Sequence, residues 1–200
     1  MTRWTRRRAL GALALAPIAA GCTGVLYGRG TERGAPYVGD GPPMLRIAVF
    51  ESSAMRKPIH TGVLIHAPEG HVLYDPAGWW DDGQGQRVGD VTYGMTPARE
   101  AAYLSRDAFG RDAGTWIVHV FETEVPPEVA RRAVEIAETR DMAVIGLCVH
   151  AVSTLLAQLP GFEGLRGCLL PRRLLEQLLR REDLSYTRMR VPAETASVDA

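Results

Sequence analysis

Hydrophobic and polar positions follow two different rhythms along this chain. Residues 44–50 alternate enough to form a first strand, and 59–66, rich in β-formers, reads as a second. Ala67-Pro-Glu-Gly70 is a turn, and His71-Val-Leu-Tyr-Asp75 is a third strand that Pro76 ends. Residues 59–75 are therefore expected to fold as an antiparallel hairpin. Further on the spacing becomes helical. Thr96-Pro97, a cap followed by proline at the first helical position, opens a helix to about Asp107. A strand is expected over 114–122. Pro126-Pro127 opens a helix to about Arg140, with Val129, Ala133, Val134 and Ala137 on one face. Val149, Val152, Leu155, Leu156 and Leu159 recur at helical spacing until Pro160, and Leu174, Leu175, Leu178 and Leu179 line a helix over 171–180. Residues 186–191 read as an edge strand. Strands first and helices afterwards predict an α+β fold, an antiparallel sheet with helices packed on one side. Trp79 to Gly89 reads as a surface loop whose two indoles either face a ligand or membrane or pack inward.

The N-terminus changes the picture of where this domain works. Arg6-Arg7-Arg8 is a positive leader, and the apolar run from Ala9 to Ala20 is too short to span a membrane comfortably. Ile18-Ala19-Ala20-Gly21-Cys22 resembles the lipobox of bacterial lipoproteins. That resemblance implies a signal peptide over 1–21, lipidation of Cys22, and an address on the periplasmic side of the bacterial cell envelope. Thr5-Arg6-Arg7-Arg8-Ala9-Leu10 is also similar to a twin-arginine export motif. Acyl chains tether a protein to membrane lipid without making it span. Residues 22–43, rich in Gly with Pro, Thr and charges, read as a flexible tether, 44–191 as the domain, and 192–200 as a disordered tail. The whole chain is formally neutral; without the first 21 residues, 19 basic residues face 23 acidic ones, a net of −4. Such a body offers no electrostatic footprint for nucleic acid.

The sequence lacks H-E-x-x-H, paired CxxC, a P-loop, G-x-G-x-x-G and G-x-S-x-G. This disfavours zinc proteases, nucleotide enzymes and serine hydrolases, and no cofactor is called for. The candidate chemistry lies in a thiol and an imidazole. Cys148 falls in the first turn of its helix, where backbone N–H groups have no partner and the macrodipole favours a thiolate. Against that stands a plain core cysteine, or a disulfide between Cys148 and Cys168, which an exported compartment permits. A cysteine nucleophile needs a base, and the base needs an orienting group. By strand alternation His60, Gly62 and Leu64 share one face; His71, Leu73 and Asp75 share one on the returning strand. A metal site from His66, His71 and His119 has no support from spacing.

His60-Thr-Gly-Val-Leu-Ile, then a turn, then His71-Val-Leu-Tyr-Asp-Pro, and a distal Cys148-Val-His-Ala-Val-Ser-Thr-Leu-Leu resemble the circularly permuted NlpC-like branch of the papain fold, a relative of lecithin retinol acyltransferase. The resemblance covers about residues 44–182. It implies a papain-like fold, Cys148 as nucleophile, His60 as general base, and Asp75 or, second, His71 as the orienting residue. It also implies a thiol hydrolase or acyltransferase acting on amide or ester bonds, in peptidoglycan peptides or lipids. Two positions depart from its pattern: Leu147 stands where a polar residue often precedes the cysteine, and His150 has no assigned role. The alternative is a non-catalytic envelope lipoprotein using the same fold for binding or structural support.

Overall fold

The computed structural model describes residues 31–32, 35–77, 80, 90–105, 115–139 and 147–191. A seven-stranded sheet runs through them: β1 (Thr31–Glu32), β2 (Met44–Ser52), β3 (Lys57–Ala67), β4 (Gly70–Tyr74), β5 (Val91–Tyr93), β6 (Trp116–Glu124) and β7 (Ser185–Val191). Their spatial order is β1-β5-β4-β3-β2-β6-β7; all neighbours are antiparallel except β1 and β5, which are parallel. Four helices accompany the sheet: α1 (Pro97–Ser105), α2 (Pro127–Thr139), α3 (Cys148–Leu156) and α4 (Pro171–Leu178). None of the described helices is long and apolar enough to cross a membrane.

The helices do not all lie on one side, as the chain's order suggested. Leu45, Ile47, Val49, Val63 and Ile65 point to a first face and pack with apolar residues of α2, α3 and α4. Ala48, Phe50, Leu64, Leu73, Val118 and Val120 point to the second face and pack with Tyr103 and Leu104 of α1 and with Trp80. The reason is already present in the strands. Residues Thr61 to Ile65 of β3 are buried without a break, and a strand that is apolar on both faces must be covered on both. Trp80 therefore belongs to the core, 2% exposed, and is not an indole displayed on a surface loop; Trp79 and residues 81–89 lie outside the described residues, as do 141–146.

Within the stretch expected as a tether, the described residues 31–32 and 35–43 include some that pair with the domain. Thr31 and Glu32 pair with Val91 and Thr92, and His71 N–H donates to Tyr37 O at 2.8 Å. Tyr37 meets the His71 ring edge-on, so this polar stretch completes the sheet edge that β4 and β5 leave open. Its residues lack apolar alternation because backbone groups make these bonds. β5, three residues long, is too short to show a period.

One polar cluster fixes α1 against the second face. Glu100, 3% exposed, accepts from Arg46 Nη1 at 2.7 Å, from His66 Nε2 at 2.7 Å and from His71 Nδ1 at 3.2 Å. Arg46 also pairs with Glu122. A buried carboxylate costs stability unless its oxygens are satisfied, and here three donors from β2, β3 and β4 satisfy it. Burial works to raise the Glu100 carboxyl, but the hydrogen bonds and charges of His66 and Arg46 hold it below its ordinary value. Burial and the neighbouring His66 charge push His71 down, against the pull of Glu100. Both groups give stability above their ordinary values that is lost as the solution becomes acidic. Glu100→Ala is expected to cost about 2–4 kcal/mol, because it leaves Arg46 and two imidazoles without their acceptor. Its unfolding free energy should also fall less steeply than the wild type's on acidification; denaturant titrations at several pH values measure both.

Candidate active site

The hairpin of β3 and β4 brings His60 and Asp75 to the same end of the sheet. Pairing runs from Ala67↔Gly70 to Val63↔Tyr74 and then stops. Beyond that point, among the described residues, His60, Thr61 and Gly62 have no strand on the β4 side, while β2 continues on the other with Phe50 opposite His60. The next residue after β4 is Asp75, whose N–H donates to Asp90 O at 2.8 Å. Its carboxylate Oδ1 accepts from Ala77 N–H at 3.1 Å and lies 3.2 Å from His60 Nε2. Alternation puts His60 and Asp75 on the second face, where the imidazole packs against Phe50 at 5.5 Å between ring centroids.

Cys148 arrives from the first face. Val149, Val152, Leu155 and Leu156 seat α3 in the core, and Cys148 is its first residue, 4% exposed. Cys148 comes close enough to His60 for its hydrogen bond and charge to act on the imidazole. Leu147 supplies no side-chain cap, so the first-turn N–H groups are not consumed by it. Cys148 and Cys168 are separate free thiols, and no disulfide joins them. Cys168 N–H is held by Ser153 Oγ at 2.9 Å, and burial pushes the Cys168 thiol up against hydrogen bonds from Ser153 and Gln177.

Of the two residues expected to orient His60, Asp75 is the one beside it. His71 lies on the same face but is committed elsewhere, bonded to Glu100 and stacked on His66. Burial alone would push the His60 imidazole down. The charge and hydrogen bond of Asp75, joined by the hydrogen bond and charge of Cys148, outweigh it and raise the ring from 6.5 to about 10. The site thus holds an imidazolium between a carboxylate and a sulfur, with His60 and Asp75 both at 0% exposure.

Sequence reasoning missed Tyr103. It sits on α1 three residues after Glu100, is 0% exposed, and packs edge-on against Phe50 at 5.4 Å and Trp80 at 5.8 Å. Burial, then the negative charges of Asp75 and Cys148, raise its hydroxyl well above the ordinary tyrosine value, so it stays a donor. Gly62 makes room for it: a Cβ there would lie 2.2 Å from the hydroxyl and 3.1 Å from the Tyr74 carbonyl oxygen. The signal in the sequence was Gly62 inside a β-rich strand, which marks a close approach without saying what approaches.

His66, His71 and Glu100 have ligand atoms within 4.8 Å of one another, the spacing of a metal site. Their geometry argues otherwise. The two imidazoles are stacked, 3.7 Å apart and 4° from parallel, so their in-plane lone pairs cannot meet at one ion. His119, grouped with them by residue type alone, is bonded to Tyr186 and Glu51 near the other edge. His150 is exposed.

The raised imidazole has a pH consequence. A group whose value rises on folding contributes its full stability below its ordinary value, here 6.5, and loses it as pH rises through about 10. The wild type's unfolding free energy should therefore decline across that interval. Asp75→Asn, which removes the largest raising charge, should flatten the decline; identical profiles would overturn the assignment.

No protein-family model, curated protein or solved structure matches this chain.

Proposed function

We propose that this protein is a lipid-anchored cysteine hydrolase or acyltransferase of the bacterial cell envelope, with a permuted papain-like domain of the NlpC-like kind. The observation that carries the reading is the meeting of Cys148, from a distant helix, with His60 and Asp75 of the β3–β4 hairpin in one buried cluster. The His60–Asp75 contact occupies Nε2, which leaves Nδ1 for the thiol. His60 already holds the thiol proton as an imidazolium, and the Cys148 thiolate attacks an amide or ester carbonyl. First-turn N–H groups of α3 face the oxyanion. The C–N or C–O bond breaks as His60 returns the proton to the leaving amine or alcohol. Water or an acceptor alcohol then attacks the thioester, passes its proton to His60, and frees the sulfur. Peptidoglycan stem peptides and lipid acyl groups are the substrate classes this chemistry suits.

Thiol reactivity tests the reading. Iodoacetamide should modify one thiol of the mature protein quickly at neutral pH, and Cys148→Ser should abolish that reaction while slow Cys168 persists. Cys148→Ser and His60→Ala should each reduce hydrolysis of an activated acyl ester or a stem peptide by about a thousandfold or more. One observation favours a second reading, a non-catalytic binding or structural lipoprotein: Cys148, His60 and Asp75 are all nearly or fully buried. That reading predicts no fast thiol in the native protein and fast reaction only after unfolding.

The anchor has its own test. Cys22→Ser should remove palmitate labelling and move the protein from the membrane fraction to the soluble one; retention of label would overturn the lipoprotein reading.

A further inference from the structure

Two complementary polar atoms in the buried cluster are unspent. The Asp75 carboxylate gives Oδ1 to His60 and to Ala77 N–H, but Oδ2 has no hydrogen-bond partner among the described residues. The Tyr103 hydroxyl, likewise buried, has none either. One is an acceptor and the other a donor, and the Asp75 charge acts directly on the phenol. Leaving either buried and unmade is costly, and each supplies what the other lacks.

We propose that Tyr103 is a positioning residue for Asp75: its hydroxyl donates to Oδ2, directly after a small side-chain rotation or across one water, and so holds Oδ1 on the His60 ring. Two features of the fold deliver the hydroxyl. Glu100, one turn earlier on α1, is clamped by Arg46, His66 and His71, which sets the height of α1 over the sheet. Gly62 removes the one side chain that would stand where the phenol oxygen sits. The hydroxyl acts through the carboxylate and touches no substrate, so Tyr103 orients the base at one remove. A carboxylate fixed at both oxygens cannot swing away from an imidazole that changes charge during a reaction, and such outer partners set the orientation and tautomer of the ring they support.

The inference rests on the reading of Cys148, His60 and Asp75 as a catalytic set, and the test separates the two. In Tyr103→Phe, which keeps the ring and removes only the oxygen, the His60 Nε2–H proton should shift upfield and broaden by exchange in the NMR spectrum. The alkylation rate of Cys148 should fall about tenfold to a hundredfold at neutral pH, the size of a lost hydrogen bond to a charged group. Its pH profile should move, while circular dichroism stays unchanged. A merely structural phenol predicts lower thermal stability with the same His60 resonance and the same alkylation profile, and that result overturns the proposal. Should Tyr103→Phe not fold, tyrosine labelled at 13Cζ decides the matter in folded protein: the Tyr103 resonance moves in Asp75→Asn if the hydroxyl is on that carboxylate, and stays if it is not. A wild type whose Cys148 does not react defeats the catalytic reading instead, and leaves the His60 and Tyr103 resonances to judge the positioning role alone.

Discussion

The interaction on which this structure turns is the contact between His60 and Asp75, both fully enclosed. Burying a carboxylate alone costs several kcal/mol, and an imidazolium alone costs similarly. Together they are tolerated, because each supplies the charge the other lacks. Neither can be removed singly without leaving an uncompensated charge in the core. The hairpin geometry makes the pairing automatic: once Val63 pairs with Tyr74, strand alternation puts His60 and Asp75 on one face just past the last rung.

That last rung also explains how residues on opposite sides of the sheet can meet. Were β4 as long as β3, a continuous ladder would separate α3 from His60. The ladder stops at Val63 and Tyr74, and the first residue of α3 acts on His60 beyond that last rung. The apolar positions of α3 fix the depth of the helix, and so the position of Cys148, through packing rather than through any polar contact of the cysteine itself. The sulfur is positioned by the core, and the imidazole by the sheet.

On the second face the logic is polar. Glu100 gathers donors from three strands, and Tyr103 rides on the same helix one turn later. Such a network is costly when half satisfied and rigid when complete. Here it is complete at Glu100 and open at Tyr103. The openness coincides with the one part of the interior where a carboxylate oxygen is also unspent.

Much of this was legible along the chain. The alternation of 59–75 specified the hairpin and the shared faces of His60 and Asp75; the helical spacing after residue 148 put the cysteine at a helix start. Local pattern determines these features, because neighbours in sequence are neighbours in a strand or a helical turn. The cover on both sides of the sheet, the pairing of Thr31 and Glu32 with β5, the burial of Trp80, and the nearness of Asp75 rather than His71 to His60 were decided only by tertiary structure. Each depends on which distant element arrives to compete for a side chain: His71 had Glu100 within reach, and Asp75 had His60. Tyr103 is the clearest case. Nothing near it in the sequence marks it as polar chemistry, and its hydroxyl reaches its place only because Gly62, forty-one positions earlier, leaves room for the oxygen.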